Sequence, residues 1–447
     1  MCACYNRIHR HNPSLKSSCS PIHCQVTCKR FQCLEYPAFA KIVGISSRGL
    51  LFIRAAVSIP SETSDRTTRA SSKPHSSGNL QRKAVFHLRR LADAAKGISP
   101  TLTPARLSKA RCREVKDLLA VAGLAPGASK LSGASVDALG AKCLADLLWA
   151  LGVLGDVHYL QEEMEAVLQV VDFQRQDFTL KGLADVSWSL ATAHHWTPKL
   201  ADLAAEVVVL GGLKEIRANY HFTGLLWSFA ILNFDPPNLL NEVPPPQRVA
   251  SFNPVQLINA CWSLCVLQEM QSELFKCLWR ELGTRDLTAI ENTKHTAAQL
   301  SQIKMSSNEG GGALLVTDTH ERILEEADRR WRRLLATDDY RMSAQHADTC
   351  RALRSMGMDY VIEDVSSGYA VDIAIPELRI AIEIDGPFHF ARNVKRRLGP
   401  SAMKHRHLIQ RGWHVFPLTA EDWISAESSS EALQDLRDLI LTQRGAV

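Results

Sequence analysis

The sequence predicts a mainly α protein, an α-solenoid of helical-hairpin repeats followed by a small α/β domain. Three observations carry this. Four apolar helical segments recur around Trp149, Trp188, Trp227 and Trp262, spaced 39, 39 and 35 residues apart, and a fixed period of this length marks stacked repeats. Second apolar helices lie between the copies. Towards the C-terminus the period of about 3.6 residues gives way to a period of 2, which is the change from helix to strand.

Composition sets the bounds. A chain of 447 residues, 46% hydrophobic and 22% charged, is long enough for two or three folded domains and is not a disordered polymer. No apolar run approaches the ~20 residues that a membrane helix needs. The net charge of +5 is small, so a polyanionic partner has to be met by local patches. Six of the twelve cysteines fall within the first 33 residues. The others, such as Cys143, Cys261 and Cys265, sit in apolar helical patterns and read as reduced core residues.

Residues 1–79 form a leader. Through residue 80 the chain has eleven Lys/Arg against Glu35, Glu62 and Asp65, with abundant Ser and Thr, the composition of a transit peptide or a plain disordered tail. The cysteines at 19, 24, 28 and 33 lack the close pairs of a zinc site. Residues 80–305 are assigned to the solenoid. From Leu80 the pattern is amphipathic, with Val85, Leu88, Leu91 and Ala92 on one face and Arg82, Lys83, Arg89 and Arg90 on the other.

The repeats proper are 144-LADLLWALGVL-154, 183-LADVSWSLATA-193, 222-FTGLLWSFAIL-232 and 257-LINACWSLCVL-267. Ala or Ser follows each Trp, and a small residue (Gly152, Ala191, Ala230, Cys265) stands third after it, where a neighbouring helix can come close. Segments 160–171 and 200–210 are the partner helices, and no hairpin can bury its apolar face alone, so the copies stack. Residues 292–305 read as a worn fifth copy without its Trp. The tryptophans read as core anchors. His194, His195, Asn219 and His221, near helix ends, read as loop polar groups.

Residues 306–319, with 306-SSNEGGGALL-315, are the expected flexible linker. Residues 320–447 then hold a charged helix over 320–335, a helix over 344–356, and the α/β domain, whose core is about 350–427. In that domain Val371, Ile373 and Ile375 alternate with Asp372 and Ala374, while Ile380, Ile382 and Ile384 alternate with Ala381, Glu383 and Asp385. Pro376-Glu377 suits a turn between the two strands, and pairing would gather Asp372, Glu383 and Asp385 on one face. Gly386-Pro387 ends the second strand. A helix over 401–411 carries Lys404, His407 and Arg411 on one stripe, stopped by Gly412, and 413–418 read as a further strand.

Val371-Asp372-Ile373, the run Glu383-Ile384-Asp385-Gly386-Pro387, His389-Phe390, Lys404 with Leu408, and Gly412-Trp413 together resemble the RAP domain of organellar RNA-metabolism proteins. The Trp-centred repeats resemble the octotricopeptide-type and FAST-kinase-like repeats that accompany it. The RAP family in turn is similar to PD-(D/E)xK nucleases, especially the very-short-patch repair branch, which implies a restriction-endonuclease-like fold. Here Asp385 stands where the wider superfamily usually has lysine, leaving Lys404 as the nearby lysine.

Two chemistries follow for this module. Converging carboxylates repel unless a cation or proton relieves them. Asp372, Glu383 and Asp385 are therefore candidate ligands for Mg2+ or Mn2+ and, with Lys404, candidate catalytic residues of a metal-dependent endoribonuclease. Alternatively the module binds RNA without cleaving it. Residues 386–411 contain no acid, and Phe388, His389, Phe390, Arg392, Lys395, Arg396, Arg397, Lys404, His407 and Arg411 interleave aromatic and basic groups suited to single-stranded RNA. The resemblance implies an organellar protein, mitochondrial or alternatively chloroplastic, that processes, stabilises or assembles ribosomal or messenger RNA with ribosomal or RNA-processing partners. A protein-interaction scaffold is the third reading of the solenoid.

Overall fold

The structure is a computed structural model that describes residues 82–90, 92, 115–117, 119–120, 139–154, 160–285, 294–307, 317–337, 342–423 and 426–446. The leader over 1–79, its cysteines, and linker residues 308–316 lie outside these.

Each Trp-centred segment is the first helix of a hairpin. Helices α1 (Gly140–Leu154) and α2 (Gln161–Val170) make the first, and α3 (Leu180–Thr192) and α4 (Leu200–Val209) the second. Helix α5 (Asn219–Ile231) with the short α6 (Pro246–Ala250), and α7 (Pro254–Val266) with α8 (Glu273–Leu282), make the third and fourth. The first helices stack directly, α1 on α3, α3 on α5 and α5 on α7. Helix α9 (Lys294–Ser306) continues the row against α7, as a fifth copy should. Leu300 and Ser301 in α9 are buried where the other copies have Trp followed by Ser or Ala.

Small residues set the spacing. A Cβ added at Gly152 would lie 2.7 Å from the Cα of Ser189, so only glycine lets α1 and α3 meet there. The serine after Trp188, Trp227 and Trp262 is fully buried. Its hydroxyl donates to the carbonyl four residues back, Ser189 to Asp185 at 2.7 Å, Ser228 to Gly224 at 2.6 Å and Ser263 to Asn259 at 2.8 Å. A buried donor is thus satisfied without a partner on the next helix. Trp262 is fully buried and Trp149 and Trp227 nearly so, as core anchors should be, while Trp188 is half-buried.

The helix ends repeat as faithfully as the cores. His194, Asn233 and Gln268 each stand six residues after a repeat Trp and have φ of 50°, 51° and 65°. The amides of His195, Phe234 and Glu269 turn back to the carbonyls of Leu190, Phe229 and Leu264 at 2.8, 3.0 and 2.8 Å. This is the double-bonded left-handed helix stop usually made by glycine, here made by His, Asn and Gln.

After α9, helix α10 (Asp318–Ala336) is pinned by His320, whose ring stacks on Trp279 with centroids 4.3 Å apart. Its arginines mostly face acids on the same helix: Arg329 pairs with Glu326, and Arg332 with Asp328. Helix α11 (Ala344–Ser355) leads into the four-stranded sheet of β1 (Val361–Asp364), β2 (Val371–Ile375), β3 (Ile380–Asp385), and β4, which follows helix α12 (Gly399–Gln410) and spans His414–Thr419. The order is β1-β2-β3-β4, with β1–β3 antiparallel and β4 parallel to β3. Helix α13 (Ala426–Ala446) closes the layer.

One face of the sheet packs Ile373, Ile375, Ile380 and Ile382 against Cys350 and Leu353 of α11 and Leu436 and Ile440 of α13. The other face packs the small Ala374 and Ala381 against Leu408 of α12 and Trp413. Strand β1 was not foreseen. Val371 also departs from expectation, joining the α12 side rather than the isoleucine face. Glu363 on β1, opposite that end of β2, has φ 52° and is left out of the ladder, while the pairs on either side of it keep one register.

The module docks on the solenoid through the left-handed helix stops. The backbone N–H of Arg392 donates to the His194 carbonyl at 2.8 Å. Arg396 Nη2 donates to the Asn233 carbonyl at 2.7 Å, and Arg406 Nη2 to the Cys265 carbonyl at 2.9 Å. Asn393 holds Trp196 from both sides, its Oδ1 accepting the Trp196 N–H at 3.0 Å and its Nδ2 donating to the Trp196 carbonyl at 2.7 Å. Cations at helix C-termini meet the negative end of the macrodipole and its orphan carbonyls. Gly399 seals the contact, since a Cβ there would lie 1.8 Å from the Ala230 carbonyl oxygen.

The His194 side chain is 2% exposed, and burial, with Arg392 adding to it, lowers its pKa to about 3. A histidine whose folded pKa is depressed contributes stability that is full above about 6.5 and lost as pH falls towards the folded value. Between pH 6.5 and 5 this amounts to about 2 kcal/mol. His194→Asn keeps a residue that tolerates positive φ, and is expected to flatten the acid limb of the stability–pH curve by that amount in urea titrations.

Candidate carboxylate centre and its docking loop

The centre lies on the α12 side of the sheet. Along β3, Ala381, Glu383 and Asp385 share that face, and Asp372 of β2 sits one ladder step beyond the Ile373–Ile382 pair, opposite Glu383. The expected gathering of three carboxylates beside a cationic helix is therefore what the strands produce. Ala374 and Ala381 keep α12 close, so Lys404, one turn before Leu408, reaches the strand carboxylates.

Their roles differ. Asp372 Oδ2 accepts the Ile384 N–H at 2.7 Å and braces the two strands. Glu383 is 1% exposed and pairs with Lys404, whose ammonium also donates to the Ala370 carbonyl at 2.8 Å. Asp385, 2% exposed, receives Arg397 Nη1 on Oδ2 at 2.6 Å. His389 Nδ1 stands 3.2 Å from the other oxygen and 3.0 Å from Ser401 Oγ. His405 Nε2 lies 3.9 Å from Asp385 Oδ2 and 3.3 Å from Arg397 Nη1.

Burial dominates the electrostatics. It raises the Glu383 carboxyl to about 8, against the pull of Lys404 and with a push from Asp372 and Asp385. Burial likewise raises Asp385, against Arg397. Lys404 is opposed by burial but held above its usual value by Glu383 and Asp372, so it stays an ammonium. Burial lowers His389 to about 4 and His405 to about 3, the latter helped by Arg397 and Lys404. Both imidazoles are therefore neutral near pH 7, and neutral imidazole is the ligating form.

A metal would not find the ligand set expected from sequence. Ligand atoms of Glu383, Asp385 and His405 all lie within 4.8 Å of one another. Asp372 is outside this set, and its Oδ2 accepts the Ile384 N–H. Glu383 Oε1 and Asp385 Oδ1 are buried without a hydrogen-bond partner, a costly condition that a bound cation would relieve. The donors thus suit Mg2+ or Mn2+, which would polarise a phosphate or activate water there, although two protein cations already stand against the carboxylates.

The basic stretch expected to face RNA is largely turned inward. Lys404 and His407 are buried, 6% and 1% exposed. His407 lies between Ser306 Oγ at 2.8 Å and the Tyr369 hydroxyl at 2.7 Å, tying the module to α9. Arg411 reaches the Ser367 carbonyl. Arg392 covers the Phe388 ring at 4.0 Å, Arg397 covers Phe390 at 4.9 Å and Arg396 covers Trp196 at 4.9 Å. Lys395 is exposed and pairs with Glu421. The acceptors that engage Lys395, Arg396, Arg397, Lys404 and Arg411 are main-chain carbonyls and carboxylates from other elements, while the Arg392 guanidinium lies over the Phe388 ring. Nothing local to Asn393 in the sequence signals its role.

The histidines read as loop polar groups are structural too. His195 bonds Gln161 Oε1 at 2.6 Å and Glu165 Oε2 at 2.9 Å, and His221 lies 3.5 Å from Asp185. Asn219 Nδ2 donates to the Ser251 carbonyl at 2.8 Å.

Comparison with known proteins agrees with this layout. A family model for the RAP domain matches residues 382–439, from the middle of β3 into α13. The chain is also similar to a protein of Oryza sativa subsp. japonica described as "RAP domain-containing protein, chloroplastic", 27% identical over 409 aligned residues. The match covers 78% of this chain and spans 62% of that relative's length.

The Lys404–Glu383 pair gives the centre a stability signature. Lys404→Met leaves the buried Glu383 carboxyl and the Ala370 carbonyl without their shared partner and is expected to cost about 3 kcal/mol in urea titrations. Adding Glu383→Leu is expected to recover most of that loss, whereas additive losses would mean the pair is not coupled.

Proposed function

We propose that this chain, whose C-terminus carries a RAP domain, is an organellar RNA-binding protein that acts in the processing, stability or assembly of ribosomal or messenger RNA. The observation that carries the reading is the RAP match on a module docked to a Trp-centred repeat solenoid. The chloroplastic description of the rice relative favours the plastid over the mitochondrion as its compartment. Ribosomal or RNA-processing proteins are its proposed partners, and among the described residues no helix is long and apolar enough to cross a membrane.

Because the module's cations are mostly engaged internally, we assign first contact with single-stranded RNA to the solenoid. At the start of α5, Lys214 and Arg217 are exposed, and Tyr220 is 43% exposed with its ring beside His221 at 4.1 Å. A cation near an accessible aromatic face suits a phosphate and an unpaired base. Lys395 is the module's proposed contribution. Binding to a single-stranded oligonucleotide should weaken about a hundredfold between 50 and 200 mM salt if about five phosphates are contacted. Tyr220→Ala should weaken it about tenfold more. Gel-shift titrations check both, and affinity that ignores salt and Tyr220 would remove the assignment.

A second reading, a metal-dependent endoribonuclease using Asp372, Glu383, Asp385 and Lys404, is favoured by the two unpartnered carboxylate oxygens. It predicts Mg2+- or Mn2+-dependent RNA cleavage that falls by at least a hundredfold in Glu383→Gln while thermal unfolding remains cooperative. Equal cleavage by the variant would exclude this centre as the source.

A further inference from the structure

We propose that Glu383, Asp385 and His405 form a divalent-cation site kept closed by Arg397, and that the solenoid holds Arg397 in its closing position. The inference stands apart from RNA binding, since it concerns only the protein's own cations and their support.

The site is built but internally compensated. Its three ligand atoms lie within 4.8 Å of one another. An ion about 2.1 Å from each of two ligands separates them by no more than about 4.2 Å, so closure by roughly half an ångström suffices. Glu383 Oε1 is buried without a hydrogen-bond partner, and so is Asp385 Oδ1, although the His389 ring nitrogen lies 3.2 Å from it. Two carboxylates with a neutral imidazole match the ligand preferences of Mn2+ better than those of a soft ion. Arg397 stands in the way: Nη1 is 2.6 Å from Asp385 Oδ2 and 3.3 Å from His405 Nε2, so one guanidinium nitrogen touches two of the three ligands. With Arg397 present, it and Lys404 face Glu383, Asp385 and Asp372. Without it, Lys404 is left as the cation nearest the crowded carboxyl groups of Glu383, Asp385 and Asp372, and Asp385 loses the partner that competes with a metal ion.

Arg397 belongs to the docking loop, and the loop is shaped by the repeats. Ala391 N–H donates to the Arg396 carbonyl at 2.7 Å and Leu398 N–H to the His389 carbonyl at 2.9 Å, closing the loop on itself. From outside, the His194 carbonyl, Trp196 and the Asn233 carbonyl hold Arg392, Asn393 and Arg396. Asn233 Nδ2 also reaches the Arg397 carbonyl at 3.5 Å. Strain or displacement at the second and third repeats would therefore move Arg397 before it moved any strand residue.

The test is Mn2+ binding to the full chain, followed by the electron paramagnetic resonance signal of free Mn2+, with circular dichroism confirming the fold. Arg397→Gln should bind one Mn2+ at least tenfold more tightly than the unmodified chain, and adding Glu383→Gln should abolish the gain. Arg397→Lys, which keeps a cation, should bind as weakly as the unmodified chain. Asn393→Ala, a change at an exposed position, loosens only the loop and should tighten binding about threefold. Arg397→Gln binding no better than the unmodified chain would overturn the site, and so would a gain that survives Glu383→Gln. If Arg397→Gln fails to fold, Asn393→Ala decides: unchanged Mn2+ affinity overturns the proposal.

Discussion

The architecture depends on carbonyl oxygens left over at helix ends. Every α-helix finishes with acceptors that it cannot satisfy itself. In this protein the left-handed turns at His194, Asn233 and Gln268 line up such ends along one edge of the solenoid. The module meets that edge with the Arg392 main-chain N–H, the Asn393 amide and the guanidiniums of Arg396 and Arg406. Dipole ends and desolvated carbonyls favour cations there, so the basic loop is a set of caps before it is anything else. The Gly399 approach to Ala230 shows how close the two parts come.

This contact organises the chemistry behind it. The loop that reads the repeat edge also delivers Arg397 to Asp385, while α12, anchored by Arg406, delivers Lys404 to Glu383. Buried carboxylates tolerate their surroundings only because those two cations arrive together. Even so, one oxygen on each carboxylate is left without a donor. The centre is thus poised between an internal ion cluster and a ligand set, and the solenoid has a hand in which it is.

Much of the architecture was legible because it repeats or alternates. The Trp spacing located the first helix of each hairpin, the small residues after Trp marked close helix contact, and the period-2 pattern located β2 and β3 with Asp372, Glu383 and Asp385 on one face. The rest was not legible for physical reasons. Strand β1 is only Val361–Asp364 and is interrupted at Glu363, too short for a pattern. The left-handed stops carry His, Asn and Gln rather than glycine, so no glycine marks them. The fate of the basic loop could not be read at all, because its partners are backbone carbonyls, which any residue supplies, and carboxylates from other elements. A string of arginines without acids looks like a polyanion surface whether its partner is RNA or a helix end.

The most direct measurement of this account is amide hydrogen exchange over residues 388–400, compared between the unmodified chain and Gly399→Val. If the loop is held by the helix ends, the amides of Ala391, Arg392 and Leu398 exchange slowly in the unmodified chain. In Gly399→Val, whose side chain cannot fit against the Ala230 carbonyl, protection falls both there and over residues 190–196, while β2 and β3 stay protected. Exchange over 388–400 as fast as in an unfolded peptide, and equal in the two proteins, would contradict the account.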